Sequence, residues 1–226
     1  MRYDAVVFDN DGVLTTPTDR DVLAEAIRSA LESVGADSPA EGDVRTLFGP
    51  TVTCLREIAD AHGVDPESLW RARERAAIDA QREELRTGRK RSYDDVDALE
   101  ALSESVPIGL GIVSNNQHET IRNVLEHADL PVEFEVWYGR EPTLAGIERK
   151  KPSPHYLERA IEDLGAQEPL FVGDNVVDVR AADAAGVDSA YLRRADEGAA
   201  DPTDPADLEI DPTHVIGSLR SIPELL

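Results

Sequence analysis

Two aspartates close an apolar run near the start of the chain, in AVVFDNDGVLTT, residues 5–16. Alternation along an extended segment projects Asp9 and Asp11 to the same side. Carboxylates that close repel each other unless a cation lies between them or one holds a proton. A second apolar run ends in PLFVGDNVVD, where Asp178 follows Asp174 by one helical turn. Asp9 and Asp174, with a backbone carbonyl near Asp11, can offer the oxygen ligands that Mg2+ takes at about 2.1 Å, a substrate phosphate completing the shell. Asp178 can support that site from behind. Ser114 and Asn115 end IGLGIVSN, and Lys151 lies in RKKPSPHY. Lys151 can balance the remaining negative charge and hold a phosphate oxygen. Ser114 and the N–H groups around Gly12 can hold the others.

Such residues need a scaffold that gathers four chain segments. Strand-like runs DAVVFD (4–9), VPIGLGIVSN (106–115), FEVWYG (134–139), PLFVGD (169–174) and DSAYLR (188–193) alternate with helical patterns. These are YDDVDALEALSES (93–105), NQHETIRNVLEHADL (116–130), SPHYLERAIEDLG (153–165), VVDVRAADAAG (176–186) and a closing SLRSIPELL (218–226). That alternation predicts an α/β fold, a doubly wound parallel sheet of Rossmann-like type. Ligands of such sheets bind at the carboxyl ends of the strands, where the residues above fall. Between the first and second strands the pattern is helical throughout: residues 19–35, 51–63 and 66–88, the last opening on Pro66. The expected division is an α/β core of residues 1–16 and 90–226 with a small α-helical module of residues 17–89. The stretch Ala195–Thr213, rich in Asp, Pro and Ala, reads as a surface loop.

Composition narrows the partners. Acidic residues outnumber basic ones 46 to 23, a formal net charge of −23, and only three of the basic residues (Lys90, Lys150, Lys151) are lysine. That charge repels nucleic acid and anionic lipid, so neither is an expected partner. Molar salt shortens the Debye length to about 3 Å and screens the self-repulsion. With so little lysine, the composition resembles that of proteins from salt-in halophiles. No apolar run approaches the roughly 20 residues of a membrane span, and the N-terminus lacks a signal-peptide pattern, which together predict a cytoplasmic protein. The single Cys54 excludes an internal disulfide and reads as a small packing residue.

DNDGVL, VSN, KPSP and GDNVVD, in that order, resemble the four motifs of the haloacid dehalogenase superfamily, and the resemblance covers nearly the whole chain. It implies a phosphatase of phosphoglycolate-phosphatase-like architecture, with a helical cap inserted after the first motif. By resemblance Asp9 is the nucleophile that forms an aspartyl-phosphate, and Asp11 the general acid and base. Ser114 and Lys151 hold the phosphoryl group, and Lys151 fits the Lys-Pro pattern better than Lys150. The implied metal is Mg2+, on Asp9, Asp11 and Asp174, with Asp178 behind; Gly12 and Asn115 contact a small phosphorylated metabolite. Residues 15–19 and 87–92 become the hinges of the cap, and LFGPT (47–51) a loop that reads the substrate. The protein is expected as a monomer or homodimer.

Neighbouring chemistries fit less well. A true dehalogenase lacks the second aspartate, and a phosphonate hydrolase needs a cap lysine, which residues 15–88 do not contain. A sugar-phosphate mutase like β-phosphoglucomutase carries Thr and His soon after the first motif; here the first histidine is His62. A non-catalytic phosphate-ester-binding protein is the rival of another class, against which all four motif positions hold competent residues. Several residues read as structural. Asn116 with Glu119 resembles a helix-capping pair. Arg71, Arg73, Arg75 and Arg82, interleaved with acids, read as a solvated face, while Trp70, Trp137 and Tyr138 read as packing residues. No role is assigned to the histidines or to Asn10, which stands where the family often has an apolar residue.

Overall fold

The computed structural model describes residues 2–36, 38–105, 108–194 and 210–226. Its strands are β1 (Ala5–Phe8), β2 (Gly109–Gln117), β3 (Val136–Arg140), β4 (Pro169–Gly173), β5 (Asp188–Leu192) and β6 (His214–Ile216). They form one sheet of order β3-β2-β1-β4-β5-β6 in which every neighbouring pair is parallel. β1 therefore lies in the middle, with β2 and β4 on either side, and the doubly wound α/β expectation holds.

The reason is visible in the alternation of β1. Val6 and Phe8 face one hydrophobic layer with Leu110, Ile112, Leu170 and Val172, covered by Leu99 of α5 (Ala98–Ser105) and Ile121 of α6 (His118–His127). Val7 faces the other layer with Val113 and Phe171, covered by Tyr156 and Leu157 of α8 (His155–Leu164) and Ala182 of α9 (Val176–Ala185). A strand buried on both faces must be apolar at every position, and β1 is.

Between β1 and β2 run α1 (Arg20–Ser33), α2 (Glu41–Thr46), α3 (Val52–His62) and α4 (Pro66–Arg86). α4 starts as the sequence predicts: Pro66 occupies the first turn and the Asp65 carboxylate accepts from Ser68 N at 2.8 Å. These helices enclose a core of their own around Ile27, Leu31, Leu55, Leu69 and Trp70. Ile147 of α7 (Leu144–Arg149) joins that core from the α/β side. The two connections to this helical segment run side by side: Thr16 N donates to Arg91 O at 2.8 Å and Tyr93 N to Leu14 O at 3.0 Å.

Several details differ from the sequence reading. The three-residue edge strand β6 and the six-residue helices α2 and α7 are too short to carry a periodic signal. The expected closing helix is a 3-10 segment, Leu219–Glu224, with Pro223 inside it, and Asp94–Asp97 is likewise 3-10. Residues 106–107 of the expected second strand, and 195–209 of the expected loop, lie outside the described residues. Among the described residues no helix is long and apolar enough to cross a membrane.

Candidate active site

Asp9 leaves the end of β1 with its N–H on Val172 O of β4 at 2.8 Å, so its position is fixed by sheet pairing. Its Oδ1 accepts from Asn10 N at 2.7 Å and pairs with Lys151 Nζ at 2.9 Å. Lys151 is 3 % exposed; its ammonium also meets Asp178 Oδ1 at 2.7 Å and Val113 O at 3.1 Å. Burial disfavours that charge, but the Asp178 and Asp9 carboxylates outweigh it and raise the lysine above its ordinary value. The buried ammonium of this cluster is that of Lys151. Lys150 Nζ reaches Pro50 O at 2.9 Å instead.

Asp174 follows β4, and Gly12 makes room for it. A Cβ at Gly12 would lie 1.9 Å from Asp174 Oδ2, and the glycine holds φ +83°. The carboxylate oxygens of Asp9, Asp174 and Asp178 gather within 4.8 Å of one another. Burial first, then the Asp9 and Asp178 charges, push the Asp174 carboxyl up to about 8. Burial likewise pushes Asp9 upward, against the opposing pull of Lys151. Asp178 is already engaged: besides Lys151 it accepts from Asn175 N at 2.9 Å in a capping box that starts α9. Asp174 makes no hydrogen bond or ion pair among the described residues. Three carboxylates, Asp9 and Asp178 buried and Asp174 partly so, against one ammonium leave an excess of about two negative charges, which a divalent cation on Asp9 and Asp174 fits.

Asp11 does not join that cluster by its side chain; its expected contribution to the metal is a backbone carbonyl. Its carboxylate turns toward the helical segment and is claimed there. Oδ1 meets Lys90 Nζ, accepts from Asn10 Nδ2 at 2.8 Å and lies 3.4 Å from Thr15 Oγ1. Oδ2 accepts from Asn116 Nδ2 at 2.9 Å. Lys90 is 1 % exposed and its ammonium also donates to Thr16 O at 2.9 Å. Asn116 is thus no helix cap: α6 begins at His118 with Gln117 before it, and the Asn116 amide spans Asp11 and Gln81. Asn10, left without a role by the sequence, holds the carboxylate next to it.

Ser114 accepts from Asn116 N at 3.2 Å, and its hydroxyl remains able to donate into a cavity of about 210 Å³ that also touches Asp9 and Asp11. Asn115 lines the same cavity, yet its amide clamps the Lys151 backbone. Oδ1 accepts from Lys151 N at 2.6 Å and Nδ2 donates to Lys151 O at 3.0 Å. Its contribution is to hold Lys151 in place.

The far wall of the cavity comes from α4 and β3. Arg73, expected in solvent, is buried; it donates to Leu47 O at 3.0 Å, Phe48 O at 3.2 Å and Glu74 Oε1 at 2.7 Å. Arg140 grips both oxygens of the same Glu74 at 2.8 and 3.0 Å. Gln117 Nε2 reaches Glu74 at 3.1 Å and Gln81 Nε2 reaches Gln117 at 3.1 Å, so one polar chain runs from Glu74 through Gln81 and Asn116 to Asp11. The missed residues had two signals. Leu69, Arg73, Ala77, Gln81 and Leu85 follow one another at i+4 on the buried face of α4. Lys90 is one of only three lysines in the chain.

The model of the haloacid dehalogenase-like hydrolases matches residues 3–186. A pyrophosphatase PpaX from Anoxybacillus flavithermus is 30 % identical over 193 residues, covering 84 % of this chain and 83 % of that protein. A phosphoglycolate phosphatase from Shigella boydii is 30 % identical over 216 residues, with 83 % and 80 % covered. A 5'-nucleotidase from Pseudomonas aeruginosa is 27 % identical over 195 residues, with 83 % and 81 % covered. The fold is similar to that of CbbY from Rhodobacter sphaeroides, solved in complex with phosphate (TM-score 0.68, 15 % identity, 97 % and 96 % covered). A predicted phosphoglycolate phosphatase from Haemophilus somnus gives TM-score 0.67 at 22 % identity, with 100 % and 98 % covered. Family match, fold and strand-end carboxylates agree: the chain belongs to the haloacid dehalogenase-like hydrolases.

Proposed function

We propose that the protein is a magnesium-dependent phosphatase of small phosphate monoesters, working through an aspartyl-phosphate on Asp9. The observation that carries this reading is the pairing of Asp9 with a buried ammonium, Lys151, beside an Asp174 carboxylate that has no partner among the described residues. The relatives named above are phosphatases or nucleotidases by name, which supports the same reading.

Asp9 attacks phosphorus as the bond to the ester oxygen breaks, and Asp11 protonates that oxygen. Asp11 then takes a proton from a water that attacks the phosphoryl group, releasing phosphate and free Asp9. Lys90 and Asn116 hold Asp11 in position for both transfers. Lys151, Ser114 and the backbone N–H groups around Gly12 receive the phosphoryl oxygens, where charge is greatest in the transition state. Asp9 and Asp174, with the Asp11 carbonyl, would hold Mg2+, which when bound offsets the charge of the carboxylates and of the phosphoryl oxygens. Asp178 and Asn115 fix Lys151. Residues 17–89 act as a cap on hinges at 15–19 and 87–92, closing the cavity against water. The acidic composition supports a cytoplasmic setting of high salt.

The test is phosphate release from a panel of small monoesters in molar potassium chloride, with magnesium or with chelator. Release that needs magnesium is the expected result. A folded protein that releases no phosphate from any ester would overturn the reading in favour of a binding role.

A further inference from the structure

We propose that the substrate carries a second anionic group, a carboxylate or a second phosphoryl, at the end remote from the ester, and that Arg73 and Arg140 receive it. This rests on the phosphatase reading and names its substrate class.

The chain as a whole is strongly acidic, yet the cavity wall facing Asp9 is basic. Arg73 and Arg140 are both 4 % exposed and both border the cavity. Among the described residues Glu74 is the one carboxylate paired with them, its Oε1 shared at 2.7 Å from Arg73 and 2.8 Å from Arg140. One carboxylate between two guanidiniums leaves a positive charge uncompensated, and Lys150 nearby adds another. Burial and the two arginines depress the Lys150 ammonium.

A tie between α4 and β3 needs Glu74 and a single arginine. The second arginine adds a buried like charge, which costs stability unless an anion balances it. The donors also point to a ligand. Arg73 spends Nε, Nη1 and Nη2 on protein acceptors, whereas Arg140 uses Nε and Nη2 on Glu74 and its Nη1 meets no acceptor among the described residues. Both guanidiniums lie over the Trp70 ring, 5.4 and 4.8 Å from its centroid, which fixes their planes. The cavity, about 210 Å³, falls below the roughly 300 Å³ at which pockets for drug-sized ligands begin, so the two anionic groups must be separated by only a few atoms.

The experiment compares kcat/KM for 2-phosphoglycolate, its neutral amide and ethylene glycol bisphosphate, with magnesium in molar potassium chloride. Wild-type protein should favour one or both of the anionic esters over the amide by about ten- to a hundredfold. Whichever of the two is favoured identifies the second group. In the variant Arg140→Gln, which leaves Arg73 paired with Glu74 and no uncompensated charge, the preference should fall toward unity. Arg140→Lys should retain part of it. Equal kcat/KM for all three esters in wild type overturns this inference while leaving the phosphatase reading in place, and it needs no variant to fold. A preference unchanged in the folded Arg140→Gln variant also overturns it. No phosphate release from any ester, p-nitrophenyl phosphate included, removes the reading beneath it as well.

Discussion

At the strand ends, Asp9, Lys151, Asp174 and Asp178 each sit within a few residues of a buried strand or of the helix that follows it, and the sheet fixes where they meet. On the helical side, Arg73 and Glu74 share one turn of α4 with Gln81 about two turns on, and they meet Arg140, Gln117 and Asn116 only because the helical segment folds back over the sheet. Both regions bury charge, but with opposite imbalance. The strand ends hold three carboxylates against Lys151, and the helical side holds two arginines against Glu74. One cavity joins them, so a phosphate ester would lie between a wall that wants a cation and a wall that wants an anion.

The comparison can be broken first at the strand ends. Asp9→Asn should lower turnover by at least about 10⁴-fold, the scale of losing a covalent nucleophile, while circular dichroism shows the fold intact. Lys151 keeps Asp178 as its partner in that variant. Substantial turnover would sink the nucleophile assignment.

On the helical side the largest effect falls on stability. Glu74→Ala strands Arg73 and Arg140 in the interior and should cost about 3–5 kcal/mol, read from denaturant midpoints. A loss under about 1 kcal/mol would mean that water already reaches the guanidiniums. Lys90→Met should then reduce kcat by about ten- to a hundredfold with KM little changed, since Asp11 would lose its ammonium partner but the phosphate-holding groups would not. Lys90→Arg should restore part of that loss. A change in KM alone would show Lys90 to be a hinge residue only.

The smallest expected effect is on pH dependence. In chelator, folded Asp174 keeps its proton up to about pH 8, whereas the unfolded chain releases it near the ordinary carboxylate value, and Asp9 is shifted the same way. Folded protein therefore binds more protons across roughly pH 4–8, and stability falls as pH rises through that window. The difference in midpoint between Asp174→Asn and wild type should grow in favour of the variant from pH 5 to pH 8. Magnesium should close the gap by stabilising wild type alone, by about 2–3 kcal/mol at a hundredfold excess over its dissociation constant. A gap independent of pH would mean that Asp174 is solvated.

How much the sequence disclosed follows the same division. β1, β2, β4 and β5, and the residues at their ends, were legible because a strand buried on both faces is a short unbroken apolar run and the polar residue that stops it is conspicuous. Lys151 was legible through its neighbouring proline. The helical side was read as solvent-facing because arginine and glutamate usually are, although the i+4 stripe from Leu69 to Leu85 passes through Arg73 and Gln81. Asn116 was mistaken for a cap because Ser, Asn and Glu before a helix fit that pattern; only the approach of α4 shows that its amide is taken by Gln81 and Asp11. Lys90 lies in a connection with no periodicity, and its partner Asp11 is 79 residues away in sequence.

The most direct test of the central claim uses Asp11→Asn with p-nitrophenyl phosphate, whose leaving group needs no acid. With magnesium present, acid-quenched protein should carry one phosphoryl group on the peptide that contains Asp9, because attack proceeds while hydrolysis of the intermediate is slowed. No phosphoryl adduct while p-nitrophenol is released in a burst, or an adduct on any other residue, would contradict the account.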